Sequence, residues 1–487
     1  MRRHPLLYEI NARLFIKRVS EKYHRALTLA TVPEEEWQLL ARRGFDLVWL
    51  MGVWQRSPVA RQQALLNPAL RQQYDHALPG WTDIDIAGSP YAILDYSLDQ
   101  ALGEATELAK LKSKLNQLGL GLMLDFVPNH LARDHPWTTS HPQWFIQGSE
   151  ADVIAHPEWF FSPRRGLHLA HGRDPNFPPW TDTAQVNFYS PDLRQALISK
   201  LREIAEVADG VRCDMAMLAL NDMFEGIWGA MVKGHPHTQT EFWAEAIGKV
   251  RQHRPDFLFL AEAYWGLEHK LQLMGFDFTY DKPFYDRLLS STPTDIRNYL
   301  MSNTPYCERS ARFIENHDER RAITAFGRER SLAAAVILAT VPGLRLFHDG
   351  QLEGKRIQLP TQLVSEPVET ADAEVVQFYD RLLKVVNQSA FHNGEWGLAD
   401  DGHHNLLVWL WRYVKQLEVV VVNYSPSPGQ GWLKLPSPLK TTGEIMLRDE
   451  LSGVTYSRDT REIDRQGLYV NLAPYHALIL AVGGGGS

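Results

Sequence analysis

The fold this sequence predicts is a parallel (β/α)8 TIM barrel with a small inserted domain after strand 3 and a C-terminal all-β sandwich domain. Three observations predict it. Short apolar strand candidates alternate with amphipathic helix candidates over most of the chain, and eight such strands suggest a closed barrel. One gap, of about sixty residues after the third strand, is too long for a single helix and is rich in Pro, His, Trp and Gly. After about residue 395 helical periodicity gives way to alternating or apolar segments separated by Ser-Pro turns.

The strands are expected at 7–10, 45–50, 120–126, 210–214, 257–261, 276–278, 312–315 and 344–347. Helices fill most of the gaps. The segment 34–43 follows Thr31 and Pro33 and stops at Gly44, and 104–118 stops at Gly119. The segment 191–208 has Ser190 as N-cap and Pro191 as first helical residue. The later segments 406–411, 418–423 and 477–482 read as strands. The division that follows is a catalytic barrel at 1–130 and 186–394, an inserted domain at 131–185 and a β-sandwich at 395–482. The GGGGS tail at 483–487 reads as a linker.

Composition narrows the function. Hydrophobic residues make up 44% and charged residues 22% of 487, which are globular values. A formal charge of −8 and the lack of a basic run disfavour nucleic acid as a partner. No stretch approaches the length of a spanning helix, so no membrane partner is expected. Cys213 and Cys307 have no metal-type or redox-type spacing, which points to a reducing, cytoplasmic setting. The 15 tryptophans suit the faces of sugars, or simply fill cores.

Four segments lie at the C-terminal ends of predicted strands three, four, five and seven: DFVPNH (125–130), GVRCDMAML (210–218), FLAEAYW (259–265) and FIENHDE (313–319). Each puts ionisable groups just past an apolar strand, where a barrel builds its active site. Burying carboxylates there is costly unless they are paired or used. In GVRCD, alternation sends Arg212 and Asp214 to one side, so the guanidinium keeps that carboxylate ionised and oriented. A nucleophile needs both properties, although a lone R-x-D is more often a structural ion pair. Glu262 follows five apolar residues, a setting that raises a carboxyl pKa and suits a general acid. Asn129-His130 and Asn316-His317 offer hydrogen-bond donors, Asp318 completes the set, and Tyr91 in GSPYAILDY offers an aromatic face.

In this order and spacing the four segments resemble the conserved regions of the α-amylase superfamily, glycoside hydrolase family 13. The resemblance covers nearly the whole chain. It implies that Asp214 is the nucleophile, Glu262 the general acid/base and Asp318 the third carboxylate that favours ring distortion. It implies sugar-binding roles for Tyr91, His130, Arg212 and His317, and a structural role for Asp125. The expected activity is that of a retaining α-glycosidase on α-1,4-linked glucans or maltooligosaccharides. Alternatives are a transglycosylase or phosphorylase of the same family and, distantly, an inactive carbohydrate-binding relative. No cofactor is expected to be required. Calcium is the one metal to consider, with Asn129 and Asp182 as its candidate ligands. The oligomeric state is unspecified by the sequence. Met217 and Leu218 stand where many members carry Lys-His, so the leaving-group side is expected to bind by apolar or stacking contacts and to handle short chains better than starch.

Overall fold

The computed structural model describes residues 1–232, 238–399, 404–435 and 443–483. Eight strands form the barrel: β1 (Leu6–Asn11), β2 (Leu47–Met51), β3 (Gly121–Phe126), β4 (Gly210–Cys213), β5 (Leu258–Ala261), β6 (Phe278–Tyr280), β7 (Ser310–Arg312) and β8 (Leu344–His348). They pair in parallel in sequence order, and β8 closes on β1. Apolar runs buried on both faces drive this, because helices cover the outside and side chains fill the inside.

The expected barrel is present, with two shifts. Strands six and seven share only Phe278 and Arg312 with their predicted spans. Phe276 is apolar because it packs against Trp243, ahead of the ladder. Ser310 and Arg312 are polar yet lie in the ladder, where Arg312 Nε reaches Asp281 Oδ2 at 2.9 Å. Phe313 and Ile314 then continue past the ladder toward the mouth. The three predicted helices form at Glu34–Arg42, Glu107–Gln117 and Pro191–Val207, and the Ser190 side chain accepts from Leu193 N as a cap should.

After β3 the chain leaves the barrel through a short antiparallel ladder, His130–Ala132 against Thr183–Gln185. Between these strands lie short helical turns and a three-stranded sheet of Gln147–Gly148, Phe160–Arg164 and Leu167–Ala170. A second excursion follows β2. Helices Pro58–Leu66 and Pro68–Ala77 begin with Ser57 and Asn67 as caps and Pro at the first helical position.

Among its described residues the C-terminal unit has eight strands: β9 (Glu395–Leu398), β10 (Leu406–Tyr413), β11 (Gln416–Asn423), β12 (Gly429–Leu433), β13 (Glu444–Asp449), β14 (Thr455–Asp459), β15 (Leu468–Leu472) and β16 (Ala477–Val482). Six form an antiparallel sheet in the order β9-β10-β11-β16-β13-β14, and β12 and β15 form a separate ribbon. Alternation assigns two jobs to the sheet. Leu406, Val408, Val419 and Val421 share a core with Leu433 and Val470 of the ribbon. Leu407, Trp409, Trp411, Val420 and Val422 join the barrel's own core, and Trp411 Nε1 donates to Thr340 O at 2.7 Å.

Candidate active site

Parallel register places the carboxylates before any side chain is considered. Arg212 on β4 pairs with Asp125 on β3 and with Leu260 on β5. One and two steps beyond, Cys213 pairs with Ala261, and Asp214 and Glu262 emerge together at the strand ends. Their backbones extend the ladder, Asp214 N to Phe126 O at 2.9 Å and Glu262 N to Cys213 O at 3.0 Å.

Arg212 lies fully buried between them. Its Nη1 is 2.7 Å from Asp214 Oδ1 and its Nη2 is 2.8 Å from Glu262 Oε2, with Asp125 Oδ1 at 3.6 Å. Three aromatic rings, Trp49, Tyr91 and Tyr280, surround the guanidinium at 5.2, 5.2 and 5.8 Å. One planar fork thus orients both carboxylates. Glu262 has two further partners: Met215 N donates to Oε2 at 2.6 Å, and Tyr264 OH donates to Oε1 at 2.8 Å.

The electrostatics correct one expectation. Burial raises the pKa of both carboxyls against the pull of Arg212, so the two are not driven in opposite directions. Glu262 is pushed up to about 7, and Asp214 above the ordinary aspartate value. The guanidinium of Arg212 serves both carboxyls and not Asp214 alone. Burial likewise lifts Asp125 to about 6 despite Arg212, and its Oδ2 accepts from Gly52 N at 3.1 Å.

Asp318 leaves the barrel beyond β7 and keeps 48% of its side chain exposed. Its Oδ2 is 3.0 Å from His317 Nε2, the same nitrogen that meets Tyr91 OH at 2.7 Å. His317 Nδ1 faces Glu9 Oε1 at 2.5 Å. Burial opposes charge on this ring, but Asp318 and Glu9 hold its pKa well above the usual value, so it is an imidazolium. Partial enclosure works upward on Asp318, and the imidazolium outweighs it and holds that carboxylate below the usual aspartate range. His130 behaves differently: burial lowers it to about 3, so it is neutral, and it hydrogen-bonds the Tyr91 backbone. The two histidines, read alike from the sequence, carry different charge.

Six of the sequence-derived residues are thus joined by direct contacts: Asp214, Glu262, Asp318, Arg212, His317 and Tyr91. The asparagines do something else. Asn316 Oδ1 accepts from the backbone of Asp318 and of Glu319, both at 2.9 Å, and so shapes the turn that presents Asp318. Asn129 exchanges hydrogen bonds with Gln185, whose Nε2 donates to Asn129 Oδ1 at 3.1 Å. Its carbonyl oxygen is therefore engaged, and the half-buried Asp182 contributes a backbone contact to Arg133. Among the described residues no group of three or more His, Cys, Asp or Glu is placed to hold a metal. Asn129 and Asp182 alone fall short of the roughly six to eight oxygens that calcium takes. Activity and melting temperature are expected to survive dialysis against EDTA. A drop of several degrees that added calcium restores would reverse that assignment.

Glu9 was not expected. Its signal is a carboxylate in the apolar strand LLYEIN, fully buried, on the inner side of the barrel. Met217 and Leu218 are both buried in the short turn Ala216–Ala219, so any apolar or stacking contact with a ligand on that side has to come from other residues. Trp265 stands out instead, 42% exposed with φ of +62°, three residues beyond Glu262. A cavity of about 750 Å³ opens at His317 and Asp318, walled by helix Pro68–Ala77 and by residues 356–362 beyond β8.

Comparison with known proteins follows the same lines. Residues 38–374 match the family model for the alpha amylase catalytic domain. Alpha-amylase MalA of Haloarcula japonica is 25% identical over 360 residues, 72% of this chain and 44% of that protein. An alpha-1,4-glucan:maltose-1-phosphate maltosyltransferase of Rhodospirillum rubrum is 23% identical over 441 residues, 84% of this chain and 56% of that one. The chain therefore spans about half the length of these curated relatives. A maltogenic alpha-amylase, AmyB of Thermotoga neapolitana, superposes with a TM-score of 0.70 at 20% identity over 98% of each chain, a likeness of fold.

Proposed function

The chain belongs to the α-amylase family, and from that premise we propose that it is a retaining glycosidase acting on α-1,4-linked glucans or maltooligosaccharides. The observation that carries this is the single guanidinium of Arg212 holding Asp214 and Glu262 by its two terminal nitrogens at one barrel mouth. A bridge so short favours the spacing of roughly 5 Å used in double displacement over the wider gap that lodges an inverting water.

The roles follow from the environments. Glu262, with a pKa near 7, is substantially protonated at neutral pH and donates its proton to the departing glycosidic oxygen. Asp214 attacks the anomeric carbon as that C–O bond breaks, giving a covalent glycosyl ester. Glu262, now ionised, takes a proton from water, whose oxygen displaces Asp214 from the opposite face. Asp318, ionised and half exposed beside an imidazolium, is placed to accept hydrogen bonds from the same sugar. Tyr91, half-buried and bonded to His317, completes that wall.

The test is proton NMR of the first product formed from maltooligosaccharides, soluble starch, pullulan and sucrose, with and without phosphate. Two displacements at one carbon restore configuration, so the initial product is expected to be the α-anomer. Initial β-anomer would reject Asp214 as nucleophile.

A second reading, transfer to a sugar or to phosphate rather than to water, uses the same carboxylates. It is favoured by the match to maltosyltransferases and by the leaving-group side, where Met217 and Leu218 supply neither donor nor surface. Trp265, exposed three residues beyond Glu262, is a candidate to meet the leaving sugar by stacking. Cleavage of short maltooligosaccharides is therefore expected to depend less on distant contacts than cleavage of a polymer.

A further inference from the structure

The outward face of the β12–β15 ribbon has an unusual composition. On both strands alternate residues are buried, Leu433 on β12 and Leu468 and Val470 on β15, so the others point outward. Outward positions on a solvent-facing ribbon are ordinarily polar. Here Trp432 and Tyr469 stand directly opposite each other in register, each 42% exposed. The next outward pair, Gln430 and Asn471, is a pair of carboxamides. The Tyr469 hydroxyl donates to Gln430 Oε1 at 3.0 Å, linking the two pairs. Beside them lies a cavity of about 290 Å³, floored by Gly467 and Leu468 and flanked by Arg458 and Glu462.

A cross-strand aromatic pair can stabilise a ribbon by itself. That account leaves the adjoining cavity and the amide pair without a use. Together these features suit a neutral polyhydroxylated chain: ring faces for its C–H surfaces, and amide, guanidinium and carboxylate groups for its hydroxyls. The geometry also selects linkage. The ring centroids are 5.2 Å apart and the planes are inclined by 53°. Inclined neighbouring platforms follow a chain whose successive sugars turn, as in a helical α-glucan. A flat β-linked chain calls for coplanar ones.

We infer that the outward face of the β12–β15 ribbon is a second, non-catalytic binding site for an α-glucan chain, centred on Trp432 and Tyr469. It lies on the C-terminal unit, on the side of the ribbon away from the core shared with the six-stranded sheet. It holds polymer without touching the bond that is cleaved. The choice of ligand rests on the proposed substrate class.

The experiment uses the whole protein carrying Asp214→Asn, so that polymer is not consumed, and measures retardation in native gels containing soluble amylose. Trp432→Ala/Tyr469→Ala in that background is expected to lose at least tenfold in amylose affinity, with the protein still folding cooperatively and a melting temperature lowered only by the few degrees, roughly, that a lost cross-strand pair costs. In the wild-type background the same pair is expected to leave kcat/KM on maltotriose unchanged. Cellohexaose is expected not to compete with amylose. Unaltered retardation of the double variant overturns the site. So does equal competition by cellohexaose, or a concentration-dependent dimer that vanishes with the two rings while amylose never binds. Ring-dependent amylose binding without any glucan turnover would instead leave this site standing and count against the proposed activity.

Discussion

Asp214→Asn is expected to lower kcat/KM on maltooligosaccharides by roughly 10⁴-fold or more, with the fold retained. The amide preserves shape and can still hydrogen-bond, but it is not a nucleophile. Wild-type protein treated with a fluorinated glycosyl substrate should gain the mass of one sugar residue, and the variant should gain none. Glu262→Gln is expected to cost a comparable factor, because the side chain then has no carboxylic proton to give to the leaving oxygen. The two variants separate on a substrate with an activated leaving group. Such a group departs without acid assistance, so Glu262→Gln should regain part of the first step, whereas Asp214→Asn should not. The pH dependence adds a sign. Glu262 sits near 7 and donates only while protonated, so wild-type kcat/KM falls as pH rises past about 7. Turnover of either purified variant at the wild-type rate would end the assignment.

The next largest effect is expected at Arg212. Arg212→Met removes the one cation that, among the described residues, touches Asp214, Glu262 and Asp125 at once. Three buried carboxyls are left facing one another, and breaking a buried ion pair this way costs about 3–5 kcal/mol. The carboxyls respond by holding their protons more tightly. A carboxyl whose folded pKa rises above its unfolded value weakens folding as pH increases. The stability deficit of the variant should therefore be larger at pH 8 than at pH 5, read from denaturant midpoints. A protonated Asp214 cannot attack, so the acid limb of the pH–rate profile should move upward, and residual activity should improve toward alkaline pH. Arg212→Lys should recover part of the stability and little of the rate, because one ammonium cannot serve two carboxylates as a planar fork does. A methionine variant with an unshifted profile and an unchanged midpoint would remove Arg212 from this role.

The sequence was most informative where chemistry follows directly on an apolar strand. GVRCD and FLAE state both the strand and the group at its end, so Asp214 and Glu262 could be placed on one mouth from spacing alone. What it could not state was reach. Arg212 is drawn to Glu262 because β4 and β5 are neighbours in register, a relation between segments some fifty residues apart. The same limit hid Glu9, whose partner His317 lies 308 residues away. A glutamate in an apolar strand was nonetheless a visible anomaly. The helices Pro58–Leu66 and Pro68–Ala77 were also legible, since Ser57-Pro58 and Asn67-Pro68 repeat the cap signal used at Ser190-Pro191. Strands six and seven were misplaced because apolar residues there serve the layer outside the ladder and the mouth beyond it, and the polar Ser310 and Arg312 occupy the ladder itself.

The closure of β8 on β1 bears on how this protein is made. One edge of β1 pairs early with β2, Leu7 to Asn11 against Leu47 to Met51, whereas on the other edge Leu6 to Glu9 pair with Arg345 to His348. During synthesis at about 5–20 residues per second, the first strand waits roughly 20–70 s for that second neighbour to emerge. Until then one edge of the growing sheet is unpaired. An unpaired sheet edge is a template for pairing with another chain, so the interval before β8 emerges is the one in which a nascent chain is most exposed to aggregation.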